Sequence, residues 1–240
     1  MIKFFRKFRQ KLLTENEFSK YLLYAIGEII LVVIGILIAL QINNWNENRK
    51  EASYEQKVLK ELKSDFLFNK KELNDNIEQA GRIAQNGDSL IAIFSLPKEE
   101  ADLNKVWNFT RRLYGYSTFD PSNGALNNLI SSGNLNIVKN DSLRMHLSRW
   151  YGMLQDVKED ETRLIQYGDT WLEPIYLEYF NPGSVGAKIN PALLENQKFE
   201  NIVKAMRNRA NYIVKIYGIL NLEIDRILDG IEGELNAPSR

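Results

Sequence analysis

Glu28 is the residue whose setting most directly demands chemistry. It is the single Asp, Glu, Lys or Arg in the 22-residue stretch 21–42, YLLYAIGEIILVVIGILIALQI. Mid-helix in a bilayer a carboxylate costs ~2.5–3.5 kcal/mol even on the gentler insertion scales, so it needs a partner, water or a proton. Seven-residue steps put Glu28, Gly35 and Ile42 on one helical face, with Gly27 next to Glu28. Gly35 and Ala39 make a small-xxx-small pair, which lets a second helix come close enough for backbone contact. Two chemistries fit. One is proton or ion coupling, as in stator-like subunits with one acidic residue in an N-terminal span. The other is a polar bond near the cytoplasmic interface that helps specify oligomerisation, and single carboxylates commonly serve as such glue.

A second cluster gathers Trp107, Arg111, Arg112, Tyr114, Tyr116 and Phe119 at the entry to the least regular segment, YGYSTFDPSN at 114–123. Guanidinium forks and ring faces suit an acidic peptide, a glycan or an anion. Packing of that segment against helices accounts for the aromatics as well, since rings at helical spacing are usually interior. Elsewhere the chemistry is sparse. His146 is the only histidine and has no second ligand type at metal spacing, so no metal site is expected. The run DVKEDE at 156–161 reads as a solvated face. Phosphate-binding and nucleophile-elbow motifs are missing, and no cofactor or catalysis is expected. With no cysteine, disulfides, thiolate metal sites and Cys nucleophiles are excluded.

The stretch 21–42 reads as a transmembrane helix. At ~1.5 Å per residue it reaches about 33 Å, enough for a hydrocarbon core of ~30 Å. Between Ile29 and Leu40 it lacks the polar stripe of a soluble core helix. Tyr21 and Tyr24 stand at the entry interface and Trp45 at the exit, where amphipathic aromatics anchor. Residues 1–20 carry six Lys/Arg against Glu15 and Glu17. Phe5, Phe8 and Leu12 share a face there, which fits a short interfacial helix on anionic lipid as well as a plain basic tail. Thr14 to Glu17 match a capping box, so a helix is expected to start there. Five Lys/Arg precede the span within fifteen residues and three follow it, which puts the N-terminus in the cytoplasm and residues 43–240 outside, periplasmic in a Gram-negative cell. The apolar run exceeds a signal-peptide core and no A-x-A-like site follows it, so an uncleaved anchor is expected. Residues 43–240 hold 25 basic and 28 acidic groups, a balance that gives no footprint for nucleic acid.

Residues 43–240 read as an all-α antiparallel helical bundle. Leu59, Leu62, Phe66, Leu73 and Ile77 carry a 3-4 repeat that extends the span's helix beyond the membrane, weakened by Gly81 and Gly87 and ended by Pro97. A helix is predicted over about 99–113, and a short one over 122–132 with Pro121 in its first turn and Gly133 closing it. A long helix should start at Asn140-Asp141 and carry Leu143, Leu147, Trp150, Leu154, Val157, Leu164 and Trp171 at heptad spacing. Glu161 and Gly168 interrupt that seam, and Pro174 kinks or ends it. After a turn-rich loop at 181–186, Pro191 opens the last element. From Phe199 to Ile231 apolar residues alternate 4 and 3 apart, a bundle seam whose expected partner is the 143–171 helix of the same chain.

The string KYLLYAIGEIILVVIGILIALQINNWNE resembles the opening of an uncharacterised family of single-pass membrane proteins from Bacteroidota-type bacteria, through Gly27, Glu28, Gly35, Ile36, Ala39, Leu40, Asn43, Asn44 and Trp45. NGALNNLISSGNLNIVKNDSLRMHLSRW at 123–150 resembles that family's central segment. The resemblance implies an integral membrane protein of unknown function and supplies no catalytic residues. Taken together, the expectation is a non-enzymatic scaffold or sensor that meets the lipid bilayer, other envelope proteins and further copies of itself. The alternative is a subunit of an ion-coupled machine that uses Glu28.

Overall fold

The apolar stretch and the seam that follows it form one helix. The computed structural model describes residues 18–181 and 189–237, and side chains from residue 22 onward. The interfacial helix, the capping box, the Tyr21 side chain and most of the turn-rich loop lie outside the described residues. Helix α1 (Phe18–Phe94) is 77 residues long. Residues Met1–Tyr54 and Glu55–Ser239 form two units.

In the first unit every large aliphatic side chain from Leu22 to Ile42 is exposed, from 46% at Val33 to 77% at Leu23. The most apolar 18-residue window of α1 is long and apolar enough to cross a membrane, and none of it is buried. In the second unit the character of α1 reverses. Leu59, Leu62, Phe66, Leu73, Ile83 and Leu90 are at most 2% exposed. Neither Gly81 nor Gly87 breaks the helix. It ends after Phe94 in tightened turns, with Ser95 N–H donating to Ala92 O (3.2 Å) and Leu96 N–H to Ile93 O (3.0 Å), just before Pro97 forbids further propagation.

Helix α2 (Leu103–Arg112) starts four residues later than the periodicity predicts. Asp102 sets the start, its carboxylate accepting from Asn104 N (2.9 Å) and Lys105 N (3.3 Å). Helix α3 (Gly124–Ser131) is shorter than expected, and Pro121 lies in irregular backbone before it rather than in its first turn. Its end matches expectation. Gly133 takes φ +70°, Asn134 N–H donates to Leu129 O (2.9 Å) and Gly133 N–H to Ile130 O (3.1 Å), a complete Schellman closure.

Helix α4 (Asp141–Tyr167) is capped by Asn140, which accepts from Leu143 N at 3.0 Å. Leu143, Leu147, Trp150, Val157 and Leu164 are buried, as the heptad spacing requires. Trp171 is not: it is 44% exposed, and Leu172 is fully buried in its stead. A π turn over Gly168–Leu172 causes the change by slipping the hydrogen-bond register, with Glu173 N–H reaching back to Gly168 O. The slip also absorbs Pro174, which sits in the first turn of α5 (Glu173–Tyr179) and does not end the helical run. Phe180 and Ile189 then form an isolated antiparallel bridge. Pro191 opens a 3-10 turn (Pro191–Glu195), while the last helix, α6 (Gln197–Asn236), starts at the Asn196 cap.

All ten residues of the α6 seam from Phe199 to Ile231 are at most 3% exposed. Contacts along α6 descend as those along α1 and α4 ascend. Lys63 pairs with Glu232 (2.9 Å), Lys70 with Asp225 (2.6 Å), Asn74 with Asn221 (3.1 Å) and Asp88 with Arg207 (3.3 Å). Opposite α4, His146 meets Glu223 and Tyr217 meets Glu161. Phe66 of α1 meets Trp150 of α4 edge-on at 5.0 Å. The described residues are all-α, with no strand beyond the single bridge.

Candidate functional site

A row of polar residues on α1 faces inward beside its apolar seam. Asp65, Asn69, Glu72, Asn76 and Gln79 are spaced 4, 3, 4 and 3 apart and so share one helical face. Asn69 is fully buried and Asn76 is 4% exposed. All of the row but Asn76 holds the irregular segment 114–123 and the first turn of α3 against the helices. Asn69 pairs with the Ser122 backbone in both directions, Nδ2 donating to Ser122 O (2.8 Å) and Ser122 N–H to Oδ1 (2.7 Å). Asp65 accepts from Ser122 Oγ (2.8 Å) and Ala125 N (2.9 Å), Glu72 from Asp120 N (3.1 Å), and Gln79 Nε2 donates to Gly115 O. The segment has few backbone bonds of its own, so α1 side chains supply the partners its buried amides require.

From the other side α4 completes the cradle. Trp150 Nε1 donates to Asn123 Oδ1 at 2.7 Å, which is why Asn123 does not cap α3 with its side chain. Glu161 is 5% exposed and accepts from Phe119 N (3.0 Å) and Tyr217 Oη (2.5 Å) through the same oxygen. Burial pushes the Glu161 carboxyl above the usual carboxylate range, against the opposing pull of those two bonds. Burial likewise raises the Tyr217 phenol, and its bond to Glu161 adds to the rise. Two residues of 156–161, Val157 and Glu161, are therefore interior, and the expected solvated face is corrected there. The heptad frame already placed Glu161 on the seam; charge alone pointed outward.

Sequence-selected residues fall into two groups. Phe119 is buried and meets Trp150 edge-on at 6.5 Å. Trp107 packs on Tyr176 (6.0 Å) and Phe180 (5.6 Å), and Tyr114 on Tyr116 (6.3 Å) and Tyr176 (5.9 Å). Arg111 and Arg112 are exposed. The rings thus join the core's margin while the guanidinium groups face solvent. Burial raises the Tyr114 and Tyr116 phenols, with nearby carboxylates including Asp169 adding to it. In the first unit Glu28, Gly27, Gly35 and Ala39 are exposed, and a Cβ added at Gly35 would meet nothing within 4 Å. Tyr24 is half-buried, and Trp45 is 62% exposed with the Arg49 guanidinium 5.2 Å from its ring centre.

His146 has a role that sequence reading missed. Its Nδ1 lies 2.6 Å from Glu223 Oε1, and Arg226 Nη1 donates to the other oxygen at 3.1 Å. Glu223 is 3% exposed, so this trio ties α4 to α6 and keeps a buried carboxylate partnered. No group of three or more potential metal ligands occurs among the described residues.

These features define a helical protein with one uncovered apolar helix segment and a domain knit by polar side chains from α1. The chain belongs to DUF6090, a family of unknown function whose pattern matches residues 28–169. That span takes in Glu28, the polar row of α1, the segment it holds, and Glu161, and it ends inside the π turn. No curated protein and no solved structure matches the chain.

Proposed function

We propose that the chain is a non-enzymatic, single-pass membrane protein whose antiparallel helical bundle acts as a scaffold or sensor for envelope partners. One observation carries this reading: an apolar window with nothing covering it heads the same helix that supplies core residues Leu59 to Leu90. An uncovered surface of that size in water favours association or insertion, and its length matches a bilayer. The N-terminus is cytoplasmic and the bundle periplasmic in this reading, in a family of Bacteroidota-type bacteria. Asp65, Glu72 and Glu161 each accept from backbone N–H groups within 119–125, which supports a structural role for these carboxylates over a catalytic one. The lipid bilayer, further copies through the Glu28–Gly35–Ala39 face, and other envelope proteins are the partners.

Affinity purification from native membranes in mild detergent tests the reading. Soluble or outer-membrane partners are expected. A multi-span partner at fixed stoichiometry would replace it with the ion-coupled alternative, in which Glu28 carries the transferred charge.

A further inference from the structure

On its outer side the α4–α6 interface is an open groove with an apolar strip. Tyr212, Ile216 and Ile219 rise along α6 at steps of 4 and 3, facing Met153 of α4. Tyr212 is 53% exposed and Ile219 51%, and Leu222, one turn further, is 57% exposed. These side chains lie immediately outside the buried seam residues Ile213, Tyr217 and Leu220. Ile216 packs partly against the core, while Tyr212, Ile219 and Leu222 leave most of their apolar surface to water.

The α4 wall of the groove is acidic. Asp156, Glu159 and Asp160 line it against a single guanidinium, Arg163. Arg163 is shared between Asp160 (3.0 Å) and Glu159 (3.7 Å), while Asp156 has no ion pair among the described residues. Lys158 and Lys215 are exposed but do not line the groove.

We infer that this groove docks an amphipathic helix of a partner protein, with an apolar face on Tyr212, Ile216 and Ile219 and Lys/Arg facing Asp156 and Glu159. The inference rests on the scaffold reading and names the kind of partner. A helix fits because the strip follows i, i+4, i+7 between two near-parallel ridges, the groove-filling mode of helical recognition. From Tyr212 to Ile219 the strip's length corresponds to about two turns of partner. A second copy docked groove to groove is disfavoured, because it would bring three more carboxylates and only one more guanidinium into the same cleft.

Site-specific photocrosslinking in cells that make the full-length chain tests it. A benzophenone amino acid replaces Tyr212 or Ile219 in turn, and replaces Leu67 and Leu177 as exposed positions outside the groove. Expected is an adduct at 212 and 219 whose crosslinked peptide is net basic with apolar residues 3–4 apart. Asp156→Lys with Glu159→Lys, both exposed, should lower that yield roughly tenfold or more by placing like charges opposite one another, at unchanged chain level and thermal midpoint. An adduct with a second copy, with lipid or with an acidic peptide would overturn the inference. So would a yield indifferent to charge reversal. Adducts at 67 or 177 alone would overturn the groove and leave the scaffold reading in place. No adduct at any position, with the chain folded and abundant, would remove both.

Discussion

Glu161 occupies a heptad position that an apolar side chain would ordinarily fill, and its single bonded oxygen serves donors from two other parts of the chain. Replacing it with leucine would leave Phe119 N–H and the Tyr217 hydroxyl buried without that acceptor, at roughly 1–3 kcal/mol for each orphaned group. Glu161→Gln keeps an oxygen and cannot ionise. Because burial raises the folded-state pKa of Glu161, its protonated form is favoured by folding. That contribution is present below the ordinary carboxylate range and is lost as pH rises through the raised value. The thermal midpoint of Glu161→Gln relative to wild type should therefore increase from acid to neutral pH in detergent-solubilised full-length protein. A difference that stays flat with pH, or falls, would mean Glu161 is not held up by burial. Glu161 also shows where residue-level reading fails: a charge within DVKEDE looks solvated, and only its heptad position signals otherwise.

At the scale of elements, the apolar seams were legible and the polar ones were not. Leu59, Leu62, Phe66 and the α6 run from Phe199 to Ile231 repeat at 3-4 spacing, and burial follows that repeat because few other geometries hide it. The row Asp65, Asn69, Glu72, Asn76 and Gln79 repeats just as regularly, but polar residues at helical spacing normally mark a wet face. Among the described residues Asn76 bonds only to Glu72 O in its own helix, and the other four are turned inward by partners up to 60 residues away in the chain. The π turn was hidden for another reason, since a one-residue register slip leaves the composition of α4 unchanged while moving Leu172 into Trp171's expected place. The glycines of α1 divide the same way. A Cβ at Gly81 would meet nothing within 4 Å, whereas at Gly87 it would come 2.7 Å from Arg207 Cβ and 3.4 Å from its Cα. Gly87 thus lets α1 and α6 close on each other, and Gly81 only adds freedom to the unfolded chain. Gly81→Ala should stabilise by about 0.5–1 kcal/mol, and Gly87→Ala should cost about 1–3 kcal/mol through overpacking. Chemical denaturation of the two variants reads both signs, and equal effects would contradict the close approach at Gly87.

For the whole molecule, the proposed membrane insertion makes two demands that can be separated by experiment. Topology depends on the basic flank, and the chain offers a clean assay because it has no native thiols. Asn208→Cys, exposed on α6, should react with a membrane-impermeant thiol reagent once the outer membrane is permeabilised, and Lys7→Cys should react only after lysis. The reverse pattern would invert the topology. Assembly depends on the other demand, close helix contact within lipid, where burial of apolar surface between helices gives little drive. Gly35 and Ala39 offer backbone approach, and Glu28 offers a polar bond on the same face. Among the described residues, no atom lies within 4 Å of a Cβ built at Gly35. Gly35→Ile should therefore lower chain-to-chain crosslinking in native membranes without reducing insertion, because it only adds apolar surface. Glu28→Gln should retain a hydrogen bond and keep most of the crosslinking, while removing any ionisable group from the span. If Gly35→Ile crosslinks like wild type, this face does not mediate assembly. If Glu28→Gln crosslinks normally yet abolishes the cellular phenotype at equal protein level, the carboxylate's proton matters more than its bond, and the ion-coupled reading displaces the scaffold.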